Sequence, residues 1–356
     1  MTEVAGYVAA NSLGLGHAAR AVAVAKELTR RHPDLYLFFL AGSPALDLAV
    51  ASGFDAMPLP PTPEWFHERG QIRSMGRWYW EYVKYLRFAR RFLREEAEWD
   101  RYRFLISDGE MASVREANRH GIPTVVFVHS IGQSFAQDLS TRLIERVGTW
   151  WMRSILSRRN VRVLALEAGI DLPNAKFVGP IVRPFSRNRE SLRDDLVFLK
   201  KTVLVAPGGT AVGGFLIEEA IRAWRDLTPG DAQMIVVSGP KLKPPADSNV
   251  FNKGFVPNLQ DYVSAADLVI TLAGKGTMME ALAAGTPVIA IPPRGHPEAE
   301  RNLQAYGLRY RYEDAFRLRE LIPEMLSVVR PPPIDFGPRK AVDEIEAFLR
   351  SQGLPL

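Results

Sequence analysis

Three polar side chains in the first third of the chain have types and settings suited to moving a proton. His17 lies just past the glycine turn in Gly14-Leu15-Gly16-His17-Ala18-Ala19, which joins the apolar run Val4 to Ala10 to a helical pattern. A neutral imidazole there can take a proton from a hydroxyl near pH 7. Arg20 follows one turn later on the same helical face, where it can hold a phosphate. Asp108 and Glu110, in Ser-Asp-Gly-Glu, follow another apolar run and are second candidates for the base. They fall at a strand's carboxyl end, where doubly wound sheets place their ligands. Helix capping is the competing role, and it suits Asp108 well.

The turn itself fits G-x-G-x-x-A between strand and helix. In that setting, free N–H groups and the helix dipole attract a phosphate. A dinucleotide site would also need an acid at the end of the second strand, and that strand ends Phe39-Leu40-Ala41-Gly42-Ser43. Two glycine turns recur in the second half, at Gly208-Gly209-Thr210 and at Gly274-Lys275-Gly276-Thr277. Each follows an apolar strand and precedes a helix, so its backbone N–H groups can line an anion-binding concavity. The second is not a Walker A loop: Val269 stands where that motif needs glycine, and Gly276 where it needs Ser or Thr. Glu280, one turn into the following helix, can accept hydrogen bonds from both hydroxyls of a ribose. Its plainer role is an acid favoured by the dipole near a helix start. No D-x-D is present, and the His296-to-Glu300 stretch His-Pro-Glu-Ala-Glu does not put its side chains on one helical face. Those residues read as solvated, and neither a metal nor a cofactor is expected.

The stretch Arg73 to Arg94 reads as a helix with Arg73, Arg77, Lys84, Arg87, Arg91 and Arg94 in a basic stripe. Trp78, Tyr82, Tyr85, Ala89 and Phe92 form a second face, and Trp80 adds a further aromatic ring. Basic and aromatic residues side by side suit a helix lying in an anionic membrane surface, with Arg77, Trp78, Trp80, Lys84, Arg87 and Arg91 as the contact residues. The alternative is an aromatic face turned into the core and a solvated basic stripe. Gly148 to Arg159 carries a second Trp-and-Arg patch. No nucleic-acid module is recognisable, and nucleic acid is not expected as a partner.

The elements that must position these residues alternate: short, wholly apolar runs are separated by helical stretches. That pattern indicates parallel sheets covered on both faces, and two such series indicate two doubly wound domains. Pro, Gly and Arg interrupt the pattern at Val178 to Glu190 and again near residue 331. The expected division is 1–182, 183–338, and a last helical stretch in 339–356 that packs back on the first domain. The 356 residues contain no cysteine, which removes disulfides and thiolate chemistry, and their net charge of +5 is modest. With no signal-peptide core and no run of about 18 apolar residues, neither secretion nor a membrane span is expected.

The segments Gly14 to Arg20, Ala206 to Thr210, Gly254 to Pro292 and His296 to Ala305 resemble the marks of GT-B glycosyltransferases. Family 28, which includes an N-acetylglucosaminyltransferase acting on a lipid-linked peptidoglycan precursor, is the most similar. The resemblance implies two Rossmann-like doubly wound domains facing a cleft. It implies an N-terminal acceptor domain and a C-terminal domain for a nucleotide-sugar, usually a UDP-sugar. On this likeness Phe255 and Val256 lie near the base. Gly208, Gly209 and Thr210, with Gly274, Lys275, Gly276 and Thr277, lie near the diphosphate. Glu280 takes the ribose, and Glu300 and Arg301 fall in the sugar-binding stretch. Gly14, Gly16 and Arg20 serve the acceptor or a phosphate, and His17 lies between donor and acceptor. Many relatives have Gln where this chain has Arg301, and Arg cannot accept a hydrogen bond, so sugar recognition is expected to differ, with a uronic acid suiting the arginine. The expected activity is metal-independent, inverting transfer from a nucleotide-sugar to a polyprenyl- or dolichyl-linked acceptor. The expected location is cytoplasmic, peripheral on the inner face of the cell membrane. A nucleotide-sugar hydrolase or 2-epimerase of the same fold, and a non-catalytic nucleotide-sugar-binding subunit, are the alternatives.

Overall fold

The computed structural model describes residues 4–132, 139–227, 230–243, 246–354 and 356, with 139 and 140 described by backbone alone. The chain divides into two compact units, residues 1–64, 74–181 and 337–356 forming one, and 65–73 with 182–336 the other. The expected boundaries differ from these mainly at residues 65–73, which the sequence pattern left in the N-terminal domain.

In the first unit the chain runs β1 (Ala5–Ala10), α1 (Gly16–Arg31), β2 (Tyr36–Ala41), α2 (Ala45–Ala51) and β3 (Ala56–Pro58). Two short strands, β4 (His67–Glu68) and β5 (Gln71–Ile72), follow and belong to the second unit. The first unit resumes with α3 (Met75–Glu96), β6 (Phe104–Asp108), α4 (Met111–Arg119), β7 (Thr124–Val128), α5 (Leu139–Leu156), β8 (Val161–Ala165) and β9 (Ala175–Phe177). Its seven strands are parallel in the order β3-β2-β1-β6-β7-β8-β9. Strands β1, β6 and β7 are buried along their whole length, as their unbroken apolar runs require of a sheet covered on both faces. One face packs Tyr7, Ala9, Leu105, Val126 and Val163 against Tyr85, Ala89 and Leu93 of α3, Ala112 and Val114 of α4, and Ile155 and Leu156 of α5.

The second unit runs α6 (Arg189–Asp195), β10 (Lys201–Val205), α7 (Gly214–Leu227), β11 (Ala232–Val236), β12 (Val250–Asn252), α8 (Leu259–Ala265), β13 (Leu268–Leu272), α9 (Lys275–Ala284), β14 (Val288–Ile291), α10 (Pro297–Ala305) and α11 (Leu318–Leu326). Its parallel sheet has the order β12-β11-β10-β13-β14. Alternate residues of β10 and β13 serve opposite faces. Leu204 and Val269 meet Met278 and Met279 of α9, while Val203, Val205 and Ile270 meet Leu216, Ala220 and Trp224 of α7. The last helix, α12 (Arg339–Ser351), returns to the first unit and packs on α1. There Arg31 reaches Asp343 at 2.7 Å and Glu346 at 3.2 Å.

The basic aromatic stretch is helical from Met75, so Arg73 is not part of its stripe. Tyr85, Ala89 and Leu93 face the core, and Trp78 is half-buried, donating to the Pro63 carbonyl and stacking on Tyr82. Arg77, Trp80, Lys84, Arg87 and Arg91 recur at heptad spacing on the exposed side, with Phe88 beside them. Among the described residues no helix is long and apolar enough to cross a membrane.

Candidate active site and donor site

In each unit the chemistry-bearing residues gather at the carboxyl ends of the parallel strands. In the first unit, β1 ends at Ala10 and the turn with Gly14 delivers His17 into the first turn of α1. Its neighbour β6 ends at Asp108, in register with Ala10. The His17 Nδ1 lies 2.7 Å from Asp108 Oδ1. Arg20 donates from Nε to Oδ2 at 2.6 Å and from Nη2 to Oδ1 at 2.7 Å. Asp108 is 1% exposed and Arg20 5%, whereas His17 keeps 29% of its side chain open to solvent. Burial opposes the charge on Asp108, but Arg20 and His17 outweigh it and hold the carboxyl below its ordinary range. The tautomer that satisfies Asp108 carries its proton on Nδ1 and leaves a lone pair on Nε2.

This geometry reassigns two residues. Arg20 is committed to Asp108, so its guanidinium is not free for a phosphate. Asp108 orients His17 rather than capping a helix. The cap of α4 is Glu110, which accepts from the Ala112 N–H at 2.9 Å and from the Tyr85 hydroxyl. At 1% exposure Glu110 lies inside the unit, away from the role of a second base, and burial pushes its pKa up to about 7.

The site also needs Gly109. Its φ is +72°, and a Cβ there would stand 2.9 Å from His17 Cε1 and 3.0 Å from Nδ1. Asn11 holds this turn, with its N–H on the Asp108 carbonyl at 3.0 Å and its Nδ2 on the Gly109 carbonyl at 3.1 Å. The structure adds a second imidazole that sequence reasoning missed. His129, just past β7, has its ring centroid 6.4 Å from that of His17, and its Nδ1 is 3.5 Å from Glu167, just past β8. The signal was its position one residue beyond an apolar strand, the same signal that marked Asp108.

In the second unit, Gly208-Gly209-Thr210 follows β10, Gly254 to Val256 follows β12, and Gly274 to Thr277 opens α9. Gly239 bridges the first two, donating to the Gly254 carbonyl at 3.1 Å, with its ideal Cβ position 2.7 Å from the Gly208 oxygen. No side chain caps the start of α9, so its first N–H groups are left to another acceptor. Phe255, Val256, Lys275 and Gly276 are partly open; Thr277 and Glu280 are buried. Lys275 Nζ lies 3.0 Å from Glu298, tying the start of α9 to the start of α10. Glu280 is 3% exposed, and Arg183 donates to its Oε1 at 3.0 Å and also to the Pro257 carbonyl. Arg183 lies in the stretch that read only as an interdomain interruption. His296 is buried and caps α10 through Nδ1 at 3.1 Å from the Ala299 N–H, while Glu300 and Arg301 are exposed. The solvated reading therefore holds for Glu300 but not for His296 or Glu298. Among the described residues, no group of three His, Cys, Asp or Glu side chains is placed to hold a metal ion.

Residues 202–323 match the Glycosyltransferase family 28 C-terminal domain. An uncharacterized glycosyltransferase of Methanosarcina acetivorans is 28% identical over 333 residues, spanning 84% of this chain and 81% of the relative. A Clavibacter michiganensis protein is 23% identical over 312 residues, 84% of this chain and 79% of its own length. It is named UDP-N-acetylglucosamine–N-acetylmuramyl-(pentapeptide) pyrophosphoryl-undecaprenol N-acetylglucosamine transferase. Among solved structures, the glycosyltransferase of kitacinnamycin superposes over 99% of this chain and 100% of its own, with a TM-score of 0.62 at 17% identity. That likeness establishes the GT-B fold.

Two predictions follow from the His17–Asp108 corner. Gly109→Ala must displace the imidazole and strain a backbone at φ +72°, so sugar-transfer turnover falls about tenfold or more, with a modest drop in melting temperature that leaves the chain folded at assay temperature. Unchanged turnover in steady-state assays would remove His17 from the reaction. Glu110 makes the unit pH-sensitive. Between about 4.5 and about 7 the folded chain keeps a proton on Glu110 that the unfolded chain has lost. Stability from this group is full below 4.5 and is lost as pH rises through 7, a difference of about 3 kcal/mol. Glu110→Gln keeps the cap without the titration, so its melting temperature should fall less than the wild type's between pH 5 and 8. Parallel melting curves would refute the assignment.

Proposed function

We propose that this glycosyltransferase of GT-B fold, whose residues 202–323 match the family 28 C-terminal domain, moves a sugar from a nucleotide-sugar, most simply a UDP-sugar, to a lipid-linked acceptor. The His17–Asp108 pair carries this reading: a partly exposed imidazole whose Nδ1 is held by a buried carboxylate at 2.7 Å is built to deprotonate a hydroxyl. His17 Nε2 takes the acceptor proton, the acceptor oxygen bonds to the anomeric carbon, and the bond from that carbon to the diphosphate breaks. A single displacement of this kind inverts the anomeric centre. The leaving diphosphate is stabilised by the uncapped N-terminus of α9 and the backbone of the Gly208–Thr210 turn, without a metal. The Arg183–Glu280 pair meets the ribose, and Phe255 and Val256 flank the base. A lipid-linked acceptor is supported by the name of the Clavibacter relative, which acts on a pyrophosphoryl-undecaprenol compound.

The first unit would bring such an acceptor within reach by lying on an anionic membrane. On α3, Trp80 and Phe88 are 58% and 61% exposed among Arg77, Lys84, Arg87 and Arg91. On α5, Leu143, Val147 and Trp150 form a second exposed apolar ridge beside Arg142 and Arg146. On this reading the protein works at the inner face of the cell membrane.

The decisive experiment titrates the protein with UDP, GDP, dTDP, UDP-glucose, UDP-N-acetylglucosamine and UDP-glucuronate, with and without chelator. Chelator-insensitive binding of UDP and one UDP-sugar is expected. His17→Ala should keep that binding and lose about a hundredfold or more in kcat with a polyprenyl-pyrophosphoryl acceptor. Loss of donor binding in His17→Ala would overturn the assignment of roles, and donor breakdown without acceptor would favour a hydrolase or epimerase of the same fold. For the membrane face, Trp80→Ser with Trp150→Ser should release the protein from vesicles containing anionic lipid. Equal sedimentation of variant and wild type with those vesicles would exclude this surface.

A further inference from the structure

Residues 65–73 leave the N-terminal part of the chain and become part of the second unit. They arrive as the β4–β5 hairpin and lie along the segment between β14 and α10. The Ile72 N–H donates to the Arg294 carbonyl at 3.0 Å, and the Arg294 N–H to the Gly70 carbonyl at 3.1 Å, in a parallel bridge of Gln71 with Arg294. The Tyr312 hydroxyl donates to the Arg69 carbonyl at 2.6 Å. Gly70 has a φ of +75°, and a Cβ on it would stand 2.2 Å from the Phe215 ring, so nothing larger than glycine fits there. At the entrance to the hairpin, Trp65 meets the buried His296 edge-to-face at 4.8 Å, and His296 caps α10.

The segment thus held is the one that presents the first turn of α10. That turn carries Glu298, paired with Lys275 beside the α9 glycine turn, and the exposed Glu300 and Arg301. Without the hairpin, Pro292 to His296 would be a loop whose backbone pairs with nothing on that side, and α10 would start from an unsupported cap. Two backbone hydrogen bonds, one ring contact and one hydroxyl fix it instead.

Resting on the donor-site reading above, we propose that residues 65–73 are a strap that sets the sugar end of the donor site, with Trp65 as a positioning residue acting through His296 on the start of α10. The strap acts on the sugar and not on the nucleotide. The residues read as meeting base, ribose and diphosphate follow β10, β12 and β13, whereas the hairpin's backbone bonds and the Trp65 ring contact fall on Arg294 and His296, at the entrance to α10. Discrimination among sugars on one nucleotide is therefore set in part by a piece of chain that precedes the donor unit in sequence.

The test compares wild type, Trp65→Ala, Trp65→Phe, Tyr312→Phe and Gly70→Val in the full-length chain. Calorimetry uses UDP, UDP-glucose, UDP-N-acetylglucosamine and UDP-glucuronate, followed by steady-state kinetics with the bound donor. Trp65→Ala and Gly70→Val should bind UDP as the wild type does, yet lose about ten- to a hundredfold in kcat/KM for the UDP-sugar, chiefly through donor KM. Trp65→Phe should recover most of the loss. Should Gly70→Val fail to fold, Trp65→Ala and Tyr312→Phe still decide. Equal weakening of UDP and UDP-sugar, or no change in either, would overturn the proposal and leave the strap a purely structural tie. If the wild type binds no nucleotide at all, the donor-site reading itself fails and the strap's role falls with it.

Discussion

The first unit depends on keeping one carboxylate charged where water cannot reach it. Asp108 ends the sheet's central strand β6, buried on every side, and such a charge persists only with a partner that leaves no lone pair to waste. Arg20 supplies the two-pronged partner and His17 the third donor. Much of the local sequence serves this arrangement. The glycine turn brings α1 close enough for residues 17 and 20 to reach over, and Gly109 leaves room for the imidazole. Asn11 holds the loop that carries the carboxylate. Removing Arg20 would strand the charge, whereas removing His17 would leave Asp108 satisfied by the guanidinium. The structural load therefore falls on the arginine, and the imidazole is left to do chemistry.

Much of this was legible in the chain. Parallel strands buried on both faces must be apolar at consecutive positions, so β1, β6, β10 and β13 announce themselves without a partner in view, and the residues just past them mark the ligand side of each sheet. His17 was found on that ground. What periodicity cannot show is which distant side chain will claim a polar group. Arg20 read as a phosphate ligand because its partner lies 88 residues away. The partner of Glu280 was hidden in the same way: Arg183, 97 residues off, sits in a stretch that looked like a connector. Asp108 and Glu110, both read as second candidates for the base with capping as the competing role, part ways in the fold: Asp108 holds His17 and Glu110 caps α4. Residues 65–73 were illegible for the same reason. Their two-residue strands are too short for any pattern, and their destination in the second unit is set by pairing with Arg294.

One regularity joins the two halves. Three cations beside the ligand-side turns come already paired: Arg20 with Asp108, Arg183 with Glu280, Lys275 with Glu298. A diphosphate approaching such a site meets little unneutralised side-chain charge. In the proposed donor site it would meet backbone N–H groups at glycine turns and the N-terminus of α9 that no side chain caps, donors that cost no rotamer entropy and carry only partial charge. Binding of that kind holds a diphosphate by geometry more than by net attraction. The paired cations keep their anions in place, and the positions of those anions fix the loops that present the N–H groups. On the proposed donor reading, paired charge builds the site and leaves binding to the backbone.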